Sequence, residues 1–214
     1  MSQSKASPGA HAAAGTGTPQ GERIPWGIVV SWGAPVIGLS GLLFFIQFFF
    51  LKFATDVLLS APIAAAAIFA VGRAWDAVSD PIVGTWSDRT KTRLGRRRPW
   101  MLLALPALGV TVLMVWRPPD LSVGWMIGWE ALALLGFYTA FTMYLVPHLS
   151  LGSELSTDHH DRSRIFGVQS AFFSFGMIFA FAGMQFVTVS DDPREAAGLL
   201  AMVFLPPVKA ASRF

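Results

Sequence analysis

One arginine and two aspartates lie within a single apolar stretch of this sequence. Arg73, Asp76 and Asp80 stand three and four residues apart, so on a helix they share one face. One positive and two negative charges leave that face at −1, and carboxylates at i and i+4 repel, more strongly in a low dielectric than in water. Arg73 can offset one carboxylate, and a bound cation or a proton would offset the other. The spacing therefore predicts a cation or proton site.

Two other interpretations of these charges stay open. A charge at the centre of a membrane helix costs about 2.5–3.5 kcal/mol on insertion scales, so three charges on one helix need partners. The three side chains could form a structural ion-pair network with another helix and hold no ion. Alternatively, Asp80 could carry a proton because it is desolvated.

Composition places the chain among membrane proteins. Its 214 residues are 53% hydrophobic and 14% charged, with eighteen Phe and eight Trp, a combination that is rare in soluble domains of this length. The sequence pI near 9.7 raises the question of nucleic acid. The basic residues occupy short loops between apolar runs, not an extended face, so we expect no nucleic-acid partner. The absence of Cys excludes disulfides and thiolate chemistry.

Six apolar segments alternate with short polar loops. A spanning helix needs roughly 20 such residues, and the segments run over about 30–53, 60–86, 100–116, 123–146, 165–189 and 196–208. Residues 1–24 lack the apolar region of a signal peptide and are predicted to be a disordered tail. Residues 209–214 are predicted to be a short C-terminal tail. The sixth segment is too short to span about 30 Å at about 1.5 Å per residue, so we expect a truncated or frameshifted reading frame.

Lys and Arg residues predict the orientation. Placing the N-terminus in the cytoplasm leaves only Lys52, Arg117 and Arg194 outside. All the other loop and tail cations then lie inside: Lys5, Arg23, Arg89, Lys91, Arg93, Arg96, Arg97, Arg98, Arg162, Arg164, Lys209 and Arg213. The positive-inside rule therefore predicts a multi-pass inner (plasma) membrane protein with a cytoplasmic N-terminus.

Several motifs together resemble one transporter family. Residues 73–84 fit R-x-W-D-x-x-x-D-P-x-x-G, and residues 93–100 fit R-x-G-R-R-R-P-W. Ser31-Trp32-Gly33, Thr55-Asp56-Val57 and residues 154–164 look like further family segments. The pattern, over about residues 30–190, resembles the glycoside–pentoside–hexuronide:cation symporters (melibiose permease type) of the major facilitator superfamily.

This resemblance implies a fold and a mechanism. It implies two six-helix halves with alternating access driven by Na⁺ or H⁺, of which this chain would be the N-terminal half with its sixth helix truncated. Asp76 and Asp80 would be the cation carboxylates and Arg73 their neighbour. Ser40 and Leu145 stand where the melibiose type has aspartates. Those departures weaken melibiose-like sugar recognition and weaken Na⁺ relative to H⁺.

Three polar residues within the spans are candidate substrate-binding residues. Ser40 occupies the position just described. Gln47 could hydrogen-bond a substrate or join two helices. Glu130 could touch substrate, but its place near the outer end of the fourth span favours a side chain that reaches water. Gly176 and Gly183 in the fifth span are expected to permit close helix packing.

Two loops carry most of the remaining charge. The loop after the second span could merely fix orientation, or it could act as a conformational latch against the second half of the protein. The residues concerned are Gly84, Asp88, Arg89, Arg93, Gly95, Arg96, Arg97 and Arg98. The cluster at 158–161 contains two adjacent His residues, which do not share a helix face. We expect no metal there, and instead a solvated loop that caps the next helix.

The sequence therefore predicts an all-α membrane protein that is not an enzyme, because no bond is broken in transport. The first hypothesis is a sugar or glycoside symporter with no cofactor beyond the coupling ion. The second is a lysolipid or amphiphile carrier, which would show an apolar side cleft instead of a polar central cavity. The third is a non-transporting fragment. The expected partners are a small-molecule substrate, the lipid bilayer and a C-terminal six-helix half.

Overall fold

The computed structural model describes residues 24–93, 95–155 and 158–211, with the side chains of residue 123 and residues 206–211 excluded. Within these ranges the chain forms seven α-helices, which confirms the predicted all-α class. They are α1 Trp26–Gly33, α2 Pro35–Asp56, α3 Pro62–Arg89, α4 Arg98–Trp116, α5 Val123–Glu154, α6 His159–Val189 and α7 Pro193–Ala211. Of the predicted tails, residues 1–23 and 212–214 lie outside the described residues, whereas residues 209–211 belong to α7 and not to a tail.

Proline and aspartate explain where several helices begin. Helices α2, α3 and α4 each have Pro in the first turn, where the missing N–H costs no hydrogen bond. Helix α6 begins after Asp158, whose carboxylate accepts a hydrogen bond from the backbone N–H of His160 at 3.1 Å. This confirms the predicted cap. Pro35 also separates α1 from α2, since it cannot donate to the carbonyl one turn earlier.

Four stretches of the described residues are long and apolar enough to cross a membrane. They are Trp26–Asp56, Arg98–Trp116, Gly124–Glu154 and His159–Val189. Helix α3 is also long, at 28 residues, but its charged residues lower its hydropathy. Helix α7 has 19 residues and is longer than the segment expected at 196–208, because it begins at Pro193 and continues past Pro206. Helices α5 and α6 also extend beyond their expected apolar limits, into the polar residues that lie between them.

The helices form a bundle with aromatic packing between α2 and α4. Helix α2 packs against α6 and α7, α4 packs against α5 and α7, and α3 packs mainly against α5. Phe45, Phe49 and Phe53 lie on one face of α2, with ring centroids 4.4, 5.7 and 5.1 Å from that of Trp116 on α4. These rings are fully buried, so they contribute much of the apolar contact of this layer.

Glycines allow the closest helix contacts. A Cβ at Gly176 of α6 would meet the Ser40 hydroxyl and the Ile37 carbonyl of α2. A Cβ at Gly183 would meet the Leu200 side chain of α7. Both contacts confirm the expectation that these two glycines permit close packing. A Cβ at Gly72 of α3 would meet the Tyr138 ring of α5, so this glycine likewise lets α3 pack closely against α5.

Candidate cation site

The two aspartates predicted to bind a cation lie where α3 packs against α5. Arg73 Nη1 lies 3.1 Å from Asp76 Oδ2, so one carboxylate has the expected arginine partner. The Asp76 side chain is 18% exposed, whereas Asp80 is more open. Helical spacing alone therefore places all three charges together on α3, as the sequence indicates.

A hydroxyl from the neighbouring helix lies between the two carboxylates. Thr142 Oγ1 of α5 is 2.9 Å from Asp80 Oδ1 and 3.3 Å from Asp76 Oδ1. A threonine hydroxyl has one proton, so it can donate to only one of these oxygens at a time. Ser79 Oγ, 3.3 Å from Thr142 Oγ1, adds a second hydroxyl to the cluster. Oxygen atoms of four side chains therefore lie close together. At any moment one of the two carboxylates receives no hydrogen bond from Thr142.

The other contacts of the cluster fix the orientation of the two helices. Trp75 Nε1 donates to Thr139 Oγ1 at 2.8 Å, one turn of α5 before Thr142. The Arg73 guanidinium carbon lies 5.7 Å from the ring centroid of Tyr138. These contacts hold α3 and α5 in register around the carboxylates. The carboxylates of Asp76 and Asp80 are thereby held next to each other although both are negatively charged.

The cluster carries more negative than positive charge. Among the described residues, no Lys or Arg of another helix forms an ion pair with Asp76 or Asp80. Arg73 is therefore the one positive group against two negative ones. Carboxylate and hydroxyl oxygens are hard ligands that suit small hard cations. The arrangement can hold a monovalent cation, or a proton on one carboxylate.

The three candidate substrate residues lie apart from this cluster. Ser40 is fully buried and donates to the carbonyls of Val36 and Ile37 at 2.7 and 3.2 Å, facing Gly176 of α6. That position makes Ser40 a helix-packing residue in this structure. Gln47 is half-buried on α2.

The side chain of Glu130 is buried, whereas the sequence favoured one that reaches water. It is 3% exposed, and its Oε1 accepts a hydrogen bond from Ser60 Oγ at 2.7 Å. The expectation that this carboxylate reaches water is wrong, because the turn after α2 folds over it. Leu59, at φ +56°, makes that turn and brings Ser60 inward.

The arginine loop is tied to its own half of the molecule. Arg97 Nη2 lies 3.0 Å from Asp88 Oδ1, and Arg97 Nη1 lies 3.2 Å from Glu154 Oε1. Arg97 is only 15% exposed, and it joins the end of α3 to the end of α5. Gly95, at φ +95°, makes the turn that returns the chain toward α4, a conformation that L side chains rarely adopt.

The other residues of the loop are arranged around that tie. Gly84 lies in α3 beside Val146 of α5, while Arg89, Arg93, Arg96 and Arg98 are exposed. Among the described residues, none of these four arginines has an ion pair. A partner for the loop in a second half therefore stays a prediction.

Sequence reasoning missed Thr142, Ser79 and Ser60. The contact of Thr142 with the aspartates joins residues 62 and 66 positions apart, which local spacing does not reveal. The available signal was the pair Thr139 and Thr142 on one turn of an apolar segment, since hydroxyls in membrane helices often bond across to a neighbour.

A helical bundle of membrane-spanning length with a carboxylate pair between two helices defines a multi-pass membrane protein. Residues 31–206 match the family model described as MFS/sugar transport protein, and the chain belongs to this family. The expectation of a major facilitator superfamily protein is thereby confirmed. The narrower glycoside–pentoside–hexuronide assignment stays a prediction.

Three relatives indicate the range of the family around this chain. A sodium-dependent lysophosphatidylcholine symporter of Gallus gallus is 35% identical over 120 residues, 56% of this chain and 22% of the relative. A sphingosine-1-phosphate transporter of Xenopus tropicalis is 36% identical over 136 residues, 61% and 25% of the two chains. An uncharacterized symporter of Synechocystis sp. is 28% identical over 191 residues, 85% and 35% of the two chains. The matched region thus spans about a fifth to a third of these relatives.

Proposed function

We propose that this chain is part of a cation-coupled symporter in which Asp76, Asp80 and Thr142 hold the coupling cation. The observation that carries the proposal is the single Thr142 hydroxyl between two carboxylates, 2.9 and 3.3 Å away. One positive charge added there brings the cluster with Arg73 to neutrality. A site of this kind, between helices of a transporter, changes its affinity when the helices move, which is how an ion gradient drives a solute.

Sodium is the proposed coupling ion. The ligands are carboxylate and hydroxyl oxygens, which a hard cation prefers. The relatives named as lysophosphatidylcholine symporters are named sodium-dependent, which supports the same choice. Leu145 contributes no oxygen and instead packs against the apolar core. Uptake measured with a Na⁺ gradient and with a pH gradient distinguishes sodium from a proton as the coupling ion.

A single-chain amphiphile with a phosphate-containing headgroup is the proposed substrate class. The relatives just described include transporters of lysophosphatidylcholine and of sphingosine-1-phosphate. The surface between α2 and α6 is aromatic: Phe44 lies 5.3 Å from Phe173, and Phe48 lies 4.9 Å from Phe181, between ring centroids. Phe48 and Phe181 are exposed, so the surface offers contact to an alkyl chain. It offers a sugar few hydrogen-bonding groups.

A sugar or glycoside is the second candidate. The description of the family model includes sugar transport, and Gln47 is a half-buried amide on the same helix as Phe44 and Phe48. With either substrate the protein would lie in the inner (plasma) membrane with the arginine loop in the cytoplasm, as the distribution of Lys and Arg indicates.

Uptake by proteoliposomes containing a full-length protein with this chain tests the proposal. Lysophosphatidylcholine, sphingosine-1-phosphate and melibiose are supplied with an inward Na⁺ gradient, with a pH gradient, or with neither. We expect Na⁺-dependent uptake of a lysolipid, and its loss in Asp76→Asn and in Asp80→Asn. Asp56→Asn is the control, since Asp56 pairs with Lys52 at the exposed end of α2.

Three outcomes would contradict parts of the proposal. Normal sodium-coupled uptake in the Asp76→Asn, Asp80→Asn double variant would mean that these aspartates do not bind the coupling cation. Uptake driven by the pH gradient without sodium would mean that the coupling ion is H⁺ and not Na⁺. Uptake of melibiose but not of lysolipids would replace the amphiphile by a sugar. If no solute is transported and sodium does not bind to the chain, the non-transporting alternative holds.

A further inference from the structure

Two cavities adjoin each other at the arginine-loop end of the bundle. The larger has a volume of about 540 Å³ and lies between α1, α4 and α5. The smaller has about 400 Å³ and is lined by Arg93, Gly95, Arg96, Arg97, Arg98, Leu151 and Glu154. Arg98, Leu151 and Glu154 line both, so the two spaces are neighbours. They share no lining residue with the cation site.

The larger cavity is apolar along most of its wall. The wall is supplied by Ile28 of α1, Met101 and Leu102 of α4, Leu151 of α5, and Leu155 just after α5. A volume of this size falls within the range of about 300–1,000 Å³ that is usual for small-molecule sites. The chemistry of the wall suits a hydrocarbon chain.

A stacked pair of rings forms one end of this cavity. His148 is 2% exposed, and its Nε2 has no hydrogen-bond partner among the described residues. Its ring is stacked on that of Trp32, with centroids 4.7 Å apart and planes 5° apart. The Trp32 Nε1 is likewise buried without a partner among those residues. Both nitrogens are closed off from the cavity, so this end of the cavity offers a ligand mainly ring surface.

The smaller cavity is positive. Arg97 pairs with Asp88 and Glu154, but Arg93, Arg96 and Arg98 have no ion pair in the described part of the chain. Helix α4 begins at Arg98, and its first turn has no side-chain cap, so the positive end of the helix dipole also faces this region. An anionic headgroup complements these charges, and guanidinium groups bind phosphate well.

We infer that the paired cavities bind an anionic phospholipid from the membrane leaflet at the arginine-loop end of the protein. The phosphate lies with Arg98 and its neighbours, and an acyl chain enters the apolar cavity. This site is separate from the transported substrate and does not depend on the proposed function. Because the phosphate engages the loop that Arg97 ties to α3 and α5, the lipid stabilises that end of the bundle.

Native mass spectrometry of the full 214-residue chain, delipidated in detergent, tests the inference. Dioleoyl phosphatidylglycerol and dioleoyl phosphatidylcholine are added in turn. We expect the chain to retain phosphatidylglycerol at about tenfold lower concentration than phosphatidylcholine. Leu102→Trp should fill the apolar cavity and Arg98→Gln should remove the phosphate partner, each weakening phosphatidylglycerol binding about tenfold.

Matched variants separate this site from general effects. Leu103→Trp adds the same ring to the next residue of α4, and Arg89→Gln removes a cation of the same loop, yet neither residue lines either of these two cavities. Both should bind phosphatidylglycerol as the parent does. Circular dichroism of all four variants establishes that each remains folded. Loss of binding in the controls, or unchanged binding in both site variants, would overturn the inference.

Other occupants of the cavities give different results. Competition by glycerol phosphate at the same concentration as the lipid would mean that the headgroup alone binds. A chain dimer that excludes phosphatidylglycerol would mean that a second copy covers the face. The chain has no Cys, so a Leu102→Cys, Ser212→Cys double variant has a single possible disulfide. Formation of that disulfide would mean that the chain's own C-terminal segment occupies the apolar cavity. Each of these results overturns the lipid site.

Discussion

Ser60 donates a hydrogen bond to Glu130 across 2.7 Å inside the protein, and both side chains are almost fully buried. The second oxygen of the carboxylate, Oε2, has no partner among the described residues. Ser60 is therefore the one polar contact that the described structure provides to a carboxylate buried in the fourth apolar segment. The turn at Leu59 and Ser60 closes over the end of the bundle opposite the arginine loop.

Ser60→Ala should destabilise the chain. Removal of the hydroxyl leaves a buried carboxylate oxygen without a partner, which costs about 1–3 kcal/mol. Thermal unfolding in detergent, followed by circular dichroism, measures the effect. The Ser60→Ala, Glu130→Met double variant should recover part of the loss, since both polar partners are then absent. Ser31→Ala, at a hydroxyl that bonds only within its own helix, is the control. Equal stability of Ser60→Ala and parent would contradict the prediction.

Gly176→Ala should weaken the packing of α6 on α2. The added methyl meets the Ser40 hydroxyl and the backbone carbonyl of Ile37, and overpacking of this kind costs about 1–3 kcal/mol. Gly167→Ala on the same helix meets no heavy atom within 4 Å, so it should be neutral or stabilising by up to about 1 kcal/mol. The midpoint of thermal unfolding distinguishes them. Ser40→Ala should rescue Gly176→Ala only partly, because the carbonyl remains.

Arg97→Gln should loosen the arginine loop. It releases Asp88 and Glu154 together, whereas Arg97→Lys keeps a charge but cannot reach both carboxylates with a planar fork. Limited trypsin digestion at Arg89, Lys91 and Arg93 should be several-fold faster in Arg97→Gln. Arg96→Gln, which loses no ion pair, should digest like the parent. Digestion rates that do not change in Arg97→Gln would mean that the ion pairs do not restrain the loop.

Thr142→Val should weaken sodium binding while Thr142→Ser preserves it. Valine has nearly the shape of threonine but has no hydroxyl for Asp76 and Asp80. Loss of one hydrogen bond to a charged group is worth about 1.5–3 kcal/mol, which is about a tenfold or larger change in affinity. The sodium concentration for half-maximal uptake measures it. Thr139→Val, which loses the bond from Trp75 and the bond to the Leu135 carbonyl but no contact with the aspartates, should stay within about twofold. A similar change in both variants would assign the effect to helix packing.

Local spacing was sufficient to predict the charged face of α3. Arg73, Asp76 and Asp80 share that face because residues three and four apart are neighbours on any α-helix, and the Arg73–Asp76 pair follows directly. Hydropathy likewise predicted the all-α membrane fold. Both properties depend on residues that are close in sequence, so they can be inferred without a tertiary structure.

Contacts between helices could not be predicted in the same way. Thr142 meets the aspartates because α5 packs on α3, and Glu130 is buried by the turn that contains Ser60, 70 residues earlier. The sequence records neither the rotation of α5 about its axis nor the inward fold of that turn. For the same reason the lining of the two cavities, which draws on three helices, was absent from the sequence analysis.

The contact between α3 and α5 is fixed at two heights. Arg97 links their ends at the arginine loop, and Thr142 links their middles at the carboxylates. Attachments at two heights resist sliding of one helix along the other. We therefore expect α3 and α5 to move as one unit when the bundle changes conformation. If Asp76 and Asp80 hold the proposed cation, its release requires a displacement that moves Thr142 away from the two carboxylates.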